Sequence, residues 1–376
     1  MIMKNKRVLF VITEDWALIS HRLHLVDAAI KAGFEVGLLT RINSHFNILK
    51  ARNINIFEWK LVRRSLNPVH EILAIIGLYK TICLFKPDII HAVALKPVIY
   101  TGLVRFLFLK TGLIAALGGL GFIFNSKSLQ ARLLKPITRT FLKYALLKQR
   151  TRLILQNKDN IDTIQNLNII DTKNIRLIKG AGVEVKKFVP TPIPKGIPII
   201  TLPGRMLSDK GVFEFAKVAE RIKFKNIKAR FILAGDIDLQ NPASIPQAYI
   251  DKWVTDGIIE HWERCDNIKE IYNKTSIVCL PSYNEGLPKV LIEAGSCSRP
   301  VVAFDVPGCR EVVRNNINGF LVDFGNEYAL EKALVNLIKD KQLCKRMGER
   351  GRKIVEKEFS DIIINKETFD VWNEII

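Results

Sequence analysis

The segment Ser276-Ile277-Val278-Cys279-Leu280-Pro281-Ser282-Tyr283-Asn284-Glu285-Gly286-Leu287-Pro288-Lys289-Val290-Leu291-Ile292-Glu293 carries the pattern that decides the fold. Its apolar run up to Leu280 predicts a buried strand. A helix is predicted to follow over Pro288–Ser298, because a proline near the first helical position does not need the N–H that it lacks. Backbone donors and the helix dipole at such a helix start favour a diphosphate.

Short apolar runs alternate with amphipathic segments on both sides of this segment, which is typical of parallel sheets flanked by helices. The predicted strands are Val8–Ile12, Glu35–Thr40, Asp88–Ala92, Leu113–Ala116, Leu153–Gln156, Ile199–Leu202, Arg230–Ala234, Ser276–Leu280 and Val301–Phe304. The further predicted helices are His21–Gly33, Lys210–Phe224 and Glu327–Lys339. This alternation predicts an α/β protein. Because 376 residues are too many for one compact core, we expect two Rossmann-like, doubly wound domains with a ligand cleft between them.

A proline-rich stretch marks the expected boundary between the domains. Prolines occur at positions 190, 192, 194 and 198, a composition typical of a linker. We therefore expect one domain over residues 1–190 and a second over residues 191–358.

A second loop resembles the first in its position between a predicted strand and a predicted helix. It reads Gly204-Arg205-Met206-Leu207-Ser208-Asp209-Lys210-Gly211. Arg205 and Lys210 are predicted to project toward the ligand cleft, where fixed cations stabilise the charge that develops on a leaving diphosphate. The alternative is a surface loop with two ordinary cations.

Two carboxylates in the first loop and its helix are separated by seven residues, Glu285 and Glu293. A carboxylate is a good acceptor for sugar hydroxyls, so the pair is predicted to hold the two ends of a nucleotide sugar. The alternative is that Glu285 is a loop charge and Glu293 a solvated helix residue.

Metal ligation has one candidate in the sequence, the D-x-D pattern Asp236-Ile237-Asp238, for which the residues alone leave a loop role and metal binding both open. Zinc-type spacing of histidines and cysteines is absent. The six cysteines form no C-x-x-C pair and lie among apolar neighbours, which predicts buried free thiols.

Candidate residues for a second substrate lie in the first half of the chain. His21 and Arg22 follow the first predicted strand, and His91 ends a later strand with Lys96 shortly after it. These residues are predicted to face the acceptor side of the cleft, although a lone histidine is more often structural.

Charge and hydropathy predict a cytoplasmic protein at a membrane surface. The formal net charge is +20, which attracts anionic membranes, polyanions and phosphorylated substrates alike. The apolar run at the amino terminus is too short for a signal peptide. The region 97–124 contains charges and glycines and is expected to form a helix, a strand and a loop. Residues 127–152 contain eight Lys or Arg and no Asp or Glu, which suits a helix that lies on anionic lipid and, almost equally well, a merely solvated helix.

In combination, these loops resemble glycosyltransferase family 4, and more narrowly the bacterial enzymes that assemble capsule, O-antigen and bacillosamine-type glycans. The resemblance covers nearly the whole chain. Further motifs that match are Thr13-Glu14-Asp15-Trp16, Ser20-His21-Arg22, Gly118-Gly119-Leu120-Gly121-Phe122, Gly180-Ala181-Gly182-Val183, Ala234-Gly235-Asp236-Ile237-Asp238, Val306-Pro307-Gly308-Cys309-Arg310-Glu311 and Asn318-Gly319-Phe320-Leu321-Val322.

The resemblance implies a GT-B fold, retention at the anomeric carbon, and no metal or other cofactor beyond the nucleotide diphosphate sugar, which is a substrate. It implies catalytic and donor-binding roles for Arg205 and Lys210 at the diphosphate and for Glu285 at the transferred sugar. Glu293 is implied at the ribose, and the donor is lined by Gly286, Leu287 and Pro288.

The resemblance also implies a polyprenyl-diphosphate-linked saccharide as the acceptor, and a last helix, 359–376, that packs back on the first domain. Many family members have a histidine near Gly119, which this sequence lacks. The polar contact to the substrate at Gly119 is therefore unassigned.

Two other functions agree with parts of the sequence. A nucleotide-sugar epimerase has a similar GT-B layout, although the two glutamates and the basic helix favour a transferase. A nucleic-acid-binding protein agrees with the charge, but the sequence has no recognition-helix motif and no interleaved aromatic and basic residues.

Overall fold

The computed structural model describes residues 6–43, 45–62, 65, 67–120, 124, 129–238, 241–263 and 267–376. The chain divides into two compact units. The first unit consists of Met1–Ala181 together with Asp361–Ile376, and the second of Gly182–Ser360.

The first unit is built on a parallel sheet of seven strands among the described residues, in the order β3-β2-β1-β4-β5-β6-β7. Its strands are β1 (Arg7–Glu14), β2 (Glu35–Arg41), β3 (Asn55–Glu58), β4 (Ile89–Val93), β5 (Gly112–Leu117), β6 (Thr151–Leu155) and β7 (Ile175–Leu177). The inner strand β5 is buried at every position, as expected for a parallel sheet covered on both faces. Successive β1 side chains alternate between two apolar cores, one containing Leu9 and the other Phe10.

Helices cover both faces of this sheet. They are α1 (Asp15–His21), α2 (Leu23–Lys31), α3 (Phe46–Lys50), α4 (Pro68–Phe85), α5 (Leu95–Val104), α6 (Leu129–Leu146) and α7 (Lys158–Asn166). The helix predicted over 21–33 is confirmed over Leu23–Lys31, but it begins after Arg22, where the backbone leaves helical geometry (φ −132°, ψ 0°). The preceding helix α1 was not predicted. Asn67 caps α4 by accepting a hydrogen bond from the Val69 N–H (3.0 Å).

The second unit has a six-stranded parallel sheet in the part of the chain that the structure describes, in the order β10-β9-β8-β11-β12-β13. The strands are β8 (Ile199–Pro203), β9 (Arg230–Ala234), β10 (Glu260–Trp262), β11 (Ile277–Leu280), β12 (Val301–Phe304) and β13 (Gly319–Val322). The helices are α8 (Val212–Phe224), α9 (Gln247–Thr255), α10 (Ile268–Lys274), α11 (Lys289–Ser296), α12 (Cys309–Val312), α13 (Glu327–Lys339) and α14 (Lys341–Glu358). A last helix, α15 (Asp361–Asn373), belongs to the first unit.

Both sheets have the doubly wound order of a Rossmann-like domain, since each starts at an inner strand, extends to one edge and then returns to the other side. The prediction of two doubly wound α/β domains is confirmed. The short strands β3, β7, β10 and β13 were not predicted.

The proline-rich stretch is packed on the second unit and is not a free linker. The guanidinium of Arg299, which is fully buried, donates to the carbonyl oxygen of Thr191 (2.8 Å) and to its hydroxyl (2.6 Å). The chain enters this unit earlier, at Gly182, where the Val183 N–H donates to the Phe359 carbonyl (2.9 Å). This entry point lies before the predicted boundary at 190/191.

Four cysteines, at positions 279, 297, 309 and 344, are buried free thiols, as predicted. Cys83 is free but exposed, which corrects the prediction for that residue. Cys265 lies outside the described residues, as do Gly121 and Phe122 of the glycine-rich motif and Lys127 at the start of the basic segment.

Candidate functional site

The point where the second sheet reverses direction lies between β8 and β11, which are hydrogen-bonded neighbours although far apart in sequence. The connections that leave these strands run to opposite sides, so a crevice opens at their carboxyl ends. The two loops singled out in the sequence, 204–211 and 281–288, follow these two strands.

The two loops are in direct contact. The Tyr283 N–H donates to the Asp209 carbonyl (2.9 Å). Gly211 has a φ of 74°, and a Cβ built on it would lie 2.0 Å from the Pro281 carbonyl oxygen. Only glycine combines this conformation with this close approach.

Lys210 and Glu285 are brought together by this contact. The Lys210 Nζ lies 2.6 Å from the Glu285 Oε1, and 9% of the Glu285 side chain is exposed against 25% of that of Lys210. A cation and a carboxylate therefore meet at the mouth of the second sheet, next to the start of α11.

Arg205 is turned toward a third loop. Its Nη1 lies 2.7 Å from the Asp238 Oδ2, and 43% of its side chain is exposed. Since Asp238 is engaged by a guanidinium, the D-x-D segment is arranged as an ion-paired loop. No group of three or more potential metal-ligating side chains occurs among the described residues.

The start of α11 is held by a neighbouring loop. A Cβ on Gly308 would lie 2.6 Å from the Gly286 carbonyl oxygen, so that loop packs tightly under the 285–287 backbone. Helix α11 begins at Lys289, with Pro288 as its N-cap residue. Gly286, Leu287 and Pro288 thus lead into a helix start beside Glu285.

Glu293 lies in α11 and is buried, contrary to a solvated helix position. Its Oε1 lies 2.9 Å from the Lys289 Nζ. Its Oε2 accepts a hydrogen bond from the Tyr272 hydroxyl (3.0 Å). Burial and the neighbouring Glu293 carboxylate hold the pKa of Tyr272 well above its ordinary value, so this phenol is a permanent donor.

A second phenol and carboxylate pair was also missed at the sequence level. The Tyr283 hydroxyl donates to the Glu214 Oε1 (2.5 Å), and this bond is the main reason that the pKa of Tyr283 rises to about 12. The Tyr283 ring packs edge-on against Phe324 at 5.1 Å between centroids. Neither tyrosine belongs to a recognisable spacing with its partner, since the partners are 21 and 69 residues away.

Two of the first-unit candidates are committed to structural contacts. The His91 Nδ1 accepts a hydrogen bond from the Trp372 Nε1–H (3.1 Å), and the ring is buried against Phe10. This placement argues against contact between His91 and a substrate. The Lys96 ammonium donates to the carbonyls of Val62 and Ser65 and to the Glu71 carboxylate, so all of its N–H groups are engaged within the first unit.

The remaining first-unit candidates differ in exposure. Arg22 is buried, and among the described residues its Nε has no hydrogen-bond partner. Burial lowers the pKa of Arg22 to about 10. His21 ends α1 and is partly exposed. Gly119 follows β5 and is also partly exposed.

Comparison with known families matches both units. A model described as glycosyl transferases group 1 matches residues 184–354, and a model described as glycosyl transferase 4-like matches residues 7–157. The chain belongs to the family 4 glycosyltransferases.

Relatives of this glycosyltransferase include two bacterial enzymes. The N,N'-diacetylbacillosaminyl-diphospho-undecaprenol alpha-1,3-N-acetylgalactosaminyltransferase of Campylobacter jejuni is 25% identical over 94% of this chain and 95% of its own. The UDP-Gal:alpha-D-GlcNAc-diphosphoundecaprenol alpha-1,3-galactosyltransferase of Escherichia coli is 25% identical over 89% and 90%.

Solved structures of other glycosyltransferases share the fold. Sucrose-phosphate synthase from Thermosynechococcus elongatus superposes with a TM-score of 0.80 at 18% identity, covering 98% of each chain. HepE of Anabaena, in complex with UDP and glucose, gives 0.77 at 18% identity, covering 97% and 99%. This glycosyltransferase therefore has the GT-B fold.

Proposed function

We propose that this glycosyltransferase moves a hexose or N-acetylhexosamine from a UDP-sugar to a polyprenyl-diphosphate-linked saccharide, with retention at the anomeric carbon and without a metal ion. The observation that carries the proposal is the Lys210–Glu285 pair, 2.6 Å apart, at the switch point of the second sheet and beside the start of α11. The second unit, Gly182–Ser360, is the proposed donor-binding domain, and the first unit is the proposed acceptor-binding domain.

The leaving diphosphate is the group that the second unit is proposed to stabilise. Negative charge builds up on it as the glycosidic bond breaks, and Lys210, Arg205 and the amino end of α11 offer positive potential at one edge of the sheet. Arg205 exchanges its ion pair with Asp238 for the diphosphate. Because both side chains of that pair are partly exposed, the exchange costs little.

The two glutamates are proposed to hold the ends of the donor. Glu285 accepts hydrogen bonds from hydroxyls of the transferred sugar, and Glu293 accepts them from the ribose. No protein nucleophile is needed when the acceptor hydroxyl attacks on the face from which the diphosphate departs, and the leaving phosphate takes its proton. This front-face route accounts for retention.

The acceptor assignment follows the two relatives, whose names state undecaprenyl-diphosphate-linked substrates. His21, Arg22 and Gly119 are the proposed acceptor-side residues, and Lys96 acts by holding the loop before α4. We further propose that the enzyme works at the cytoplasmic face of the plasma membrane, with the basic segment 127–152, of which α6 is the described helix, on anionic lipid.

The test is a panel of nucleotide sugars offered with polyprenyl-diphosphate saccharides and resolved by product mass. The expected result is one UDP-sugar that transfers to one acceptor, with the anomeric configuration of the donor kept. Chelator is included in every reaction. Conversion of free UDP-sugar without acceptor would favour the epimerase, and a melting temperature raised by DNA and not by UDP would favour nucleic-acid binding. The relatives described above support neither.

A further inference from the structure

The outer face of α4 is largely apolar and includes one exposed lysine, Lys80. The spacing of its exposed large apolar side chains places them on one face of the helix. They are Val69, Ile72, Leu73, Ile76, Tyr79 and Leu84.

Among the described residues, α4 is the one helix that is long and apolar enough to cross a membrane. Its opposite face is nevertheless part of the first unit. Ala74, Leu78 and Ile82 are buried in the core, and the buried Trp59 Nε1–H donates to the Ala74 carbonyl (2.9 Å). A helix anchored in this way to a sheet presents only its outer stripe to the surroundings.

The segment that follows α5 adds further exposed apolar residues. In the turn after α5, 71% of Leu107 and 75% of Leu109 are exposed. Lys110 and Lys148 lie nearby, and the Lys148 Nζ is 4.3 Å from the Phe106 ring centroid.

Helix α6 presents a second stripe of the same kind, with cations beside it. Its exposed apolar residues are Leu129, Leu133, Ile137, Phe141 and Tyr144. The cations recur at the same helical spacing and are Arg132, Lys135, Arg139 and Lys143. The inner side of α6 contributes Leu142 and Leu146 to the core that also contains the inner side of α4. Helices α4, α5 and α6 therefore form one layer on one face of the first sheet.

Exposed apolar stripes on two helices of one layer indicate a contact surface, because soluble monomers rarely expose large apolar patches. The charges select the occupant. The exposed stripe of α6 is bordered by four cations and no anion within the helix, and that of α4 carries Lys80. A second copy of this chain would bring these cations against the same cations, whereas an anionic bilayer offers both an apolar interior and a negative surface.

We propose that the α4 stripe and the Phe106–Leu109 turn, together with α6, form a membrane-docking face that inserts into the headgroup region of an anionic bilayer. This extends the membrane contact proposed for the basic segment, and it requires neither the donor nor the acceptor assignment. Helix α4 supplies apolar side chains that insert into the bilayer, and α6 supplies cations that attract anionic lipid.

Vesicle binding of the full chain tests the proposal. Sedimentation with phosphatidylglycerol vesicles is measured for the unaltered chain and for an Ile72→Gln/Leu84→Gln variant. The control is Phe224→Gln/Tyr328→Gln, which removes two residues that are 89% and 69% exposed on the second unit. We expect the α4 variant to lose about tenfold or more in partitioning, and the control to stay within about twofold.

Phosphatidylcholine vesicles are expected to bind much less protein than phosphatidylglycerol vesicles, since α6 then lacks its counter-charge. Circular dichroism checks that each variant folds. Equal partitioning of the α4 variant and the unaltered chain would overturn the proposal. It would also be overturned by a concentration-dependent dimer that the α4 variant abolishes while vesicle binding is absent. Because no substrate is present, this outcome is separate from any failure of the proposed transfer reaction.

Discussion

The Lys210 Nζ and the Glu285 Oε1 lie 2.6 Å apart although 75 residues separate them in sequence. The contact joins the loops that follow β8 and β11, the two strands at the switch point of the second sheet. It links the two sequence signatures from which the donor site is inferred.

Replacing Lys210 by Ala is expected to lower kcat for sugar transfer by about 10²–10³-fold, because one fixed cation at the leaving group is lost. Glu285→Ala is expected to act similarly. The matched control is Lys217→Ala. It removes an exposed lysine on α8 that pairs with Glu327, and it should leave kcat unchanged. Near-normal turnover in both site variants, measured by product mass, would rule out this site.

Tyr272→Phe removes the hydrogen bond to Glu293. We expect the free energy of unfolding to fall by about 1 kcal/mol, and KM for the nucleotide sugar to rise more than kcat falls, since Glu293 is then less firmly oriented. The control is Tyr249→Phe on α9, because about half of the Tyr249 side chain is exposed. A stability loss with unchanged KM would show that Tyr272 is structural only.

Asp238→Asn tests the two interpretations of the D-x-D segment. We expect KM for the donor not to rise, because Arg205 is released from its ion pair (2.7 Å) and stays available to the diphosphate. Arg205→Ala should raise KM. Treatment with a chelator should leave transfer unchanged. If Asp238→Asn and the chelator each abolish transfer, the segment binds a catalytic metal.

Gly211→Ala and Gly325→Ala form a matched pair, with φ values of 74° and 75°. At Gly325 a Cβ would have no atom within 4 Å, so alanine should cost only the backbone strain, about 1–3 kcal/mol. At Gly211 the Cβ would collide with the Pro281 carbonyl. We expect a larger loss in urea unfolding and weaker UDP binding, and equal effects of both variants would contradict the loop contact.

The buried His91 side chain is expected to make the folded protein less stable in mild acid. Burial, assisted by the charge of Arg22, holds the pKa of His91 well below the ordinary value of 6.5. Below pH 6.5 the unfolded chain binds a proton at His91 that the folded chain does not. The free energy of unfolding therefore falls as pH decreases, by at most about 1.4 kcal/mol per pH unit for this residue.

Urea unfolding of the unaltered chain and of His91→Asn between pH 7 and pH 5 measures this effect. Asparagine keeps an acceptor for the Trp372 Nε1–H but cannot be protonated. The variant should be less stable at pH 7 and show a smaller decrease toward pH 5. An unchanged slope would exclude His91 as the source.

Much of the fold could be predicted because long apolar runs and helical periodicity are local properties. The strands Arg230–Ala234 and Val301–Phe304 and the helix Glu327–Lys339 have the bounds expected from their sequence. The short strands β3 (Asn55–Glu58) and β10 (Glu260–Trp262) were missed because polar residues interrupt their apolar pattern. The break at Arg22 was missed because the amphipathic pattern continues across it.

The candidate site divides in the same way. The strand–loop–helix order around Glu285 and the cations of the 204–211 loop are readable from the chain itself, because loop composition and helix starts are set by neighbouring residues. Other contacts depend on residues that are distant in sequence. They are the hydrogen bond from Tyr272 to Glu293, the ion pair between Arg205 and Asp238, and the burial of His91 against Trp372. Local chemistry therefore determined the class of protein and the ends of its strands. Only the tertiary structure decided which polar groups meet, since burial and pairing arise when strands that are remote in sequence become neighbours.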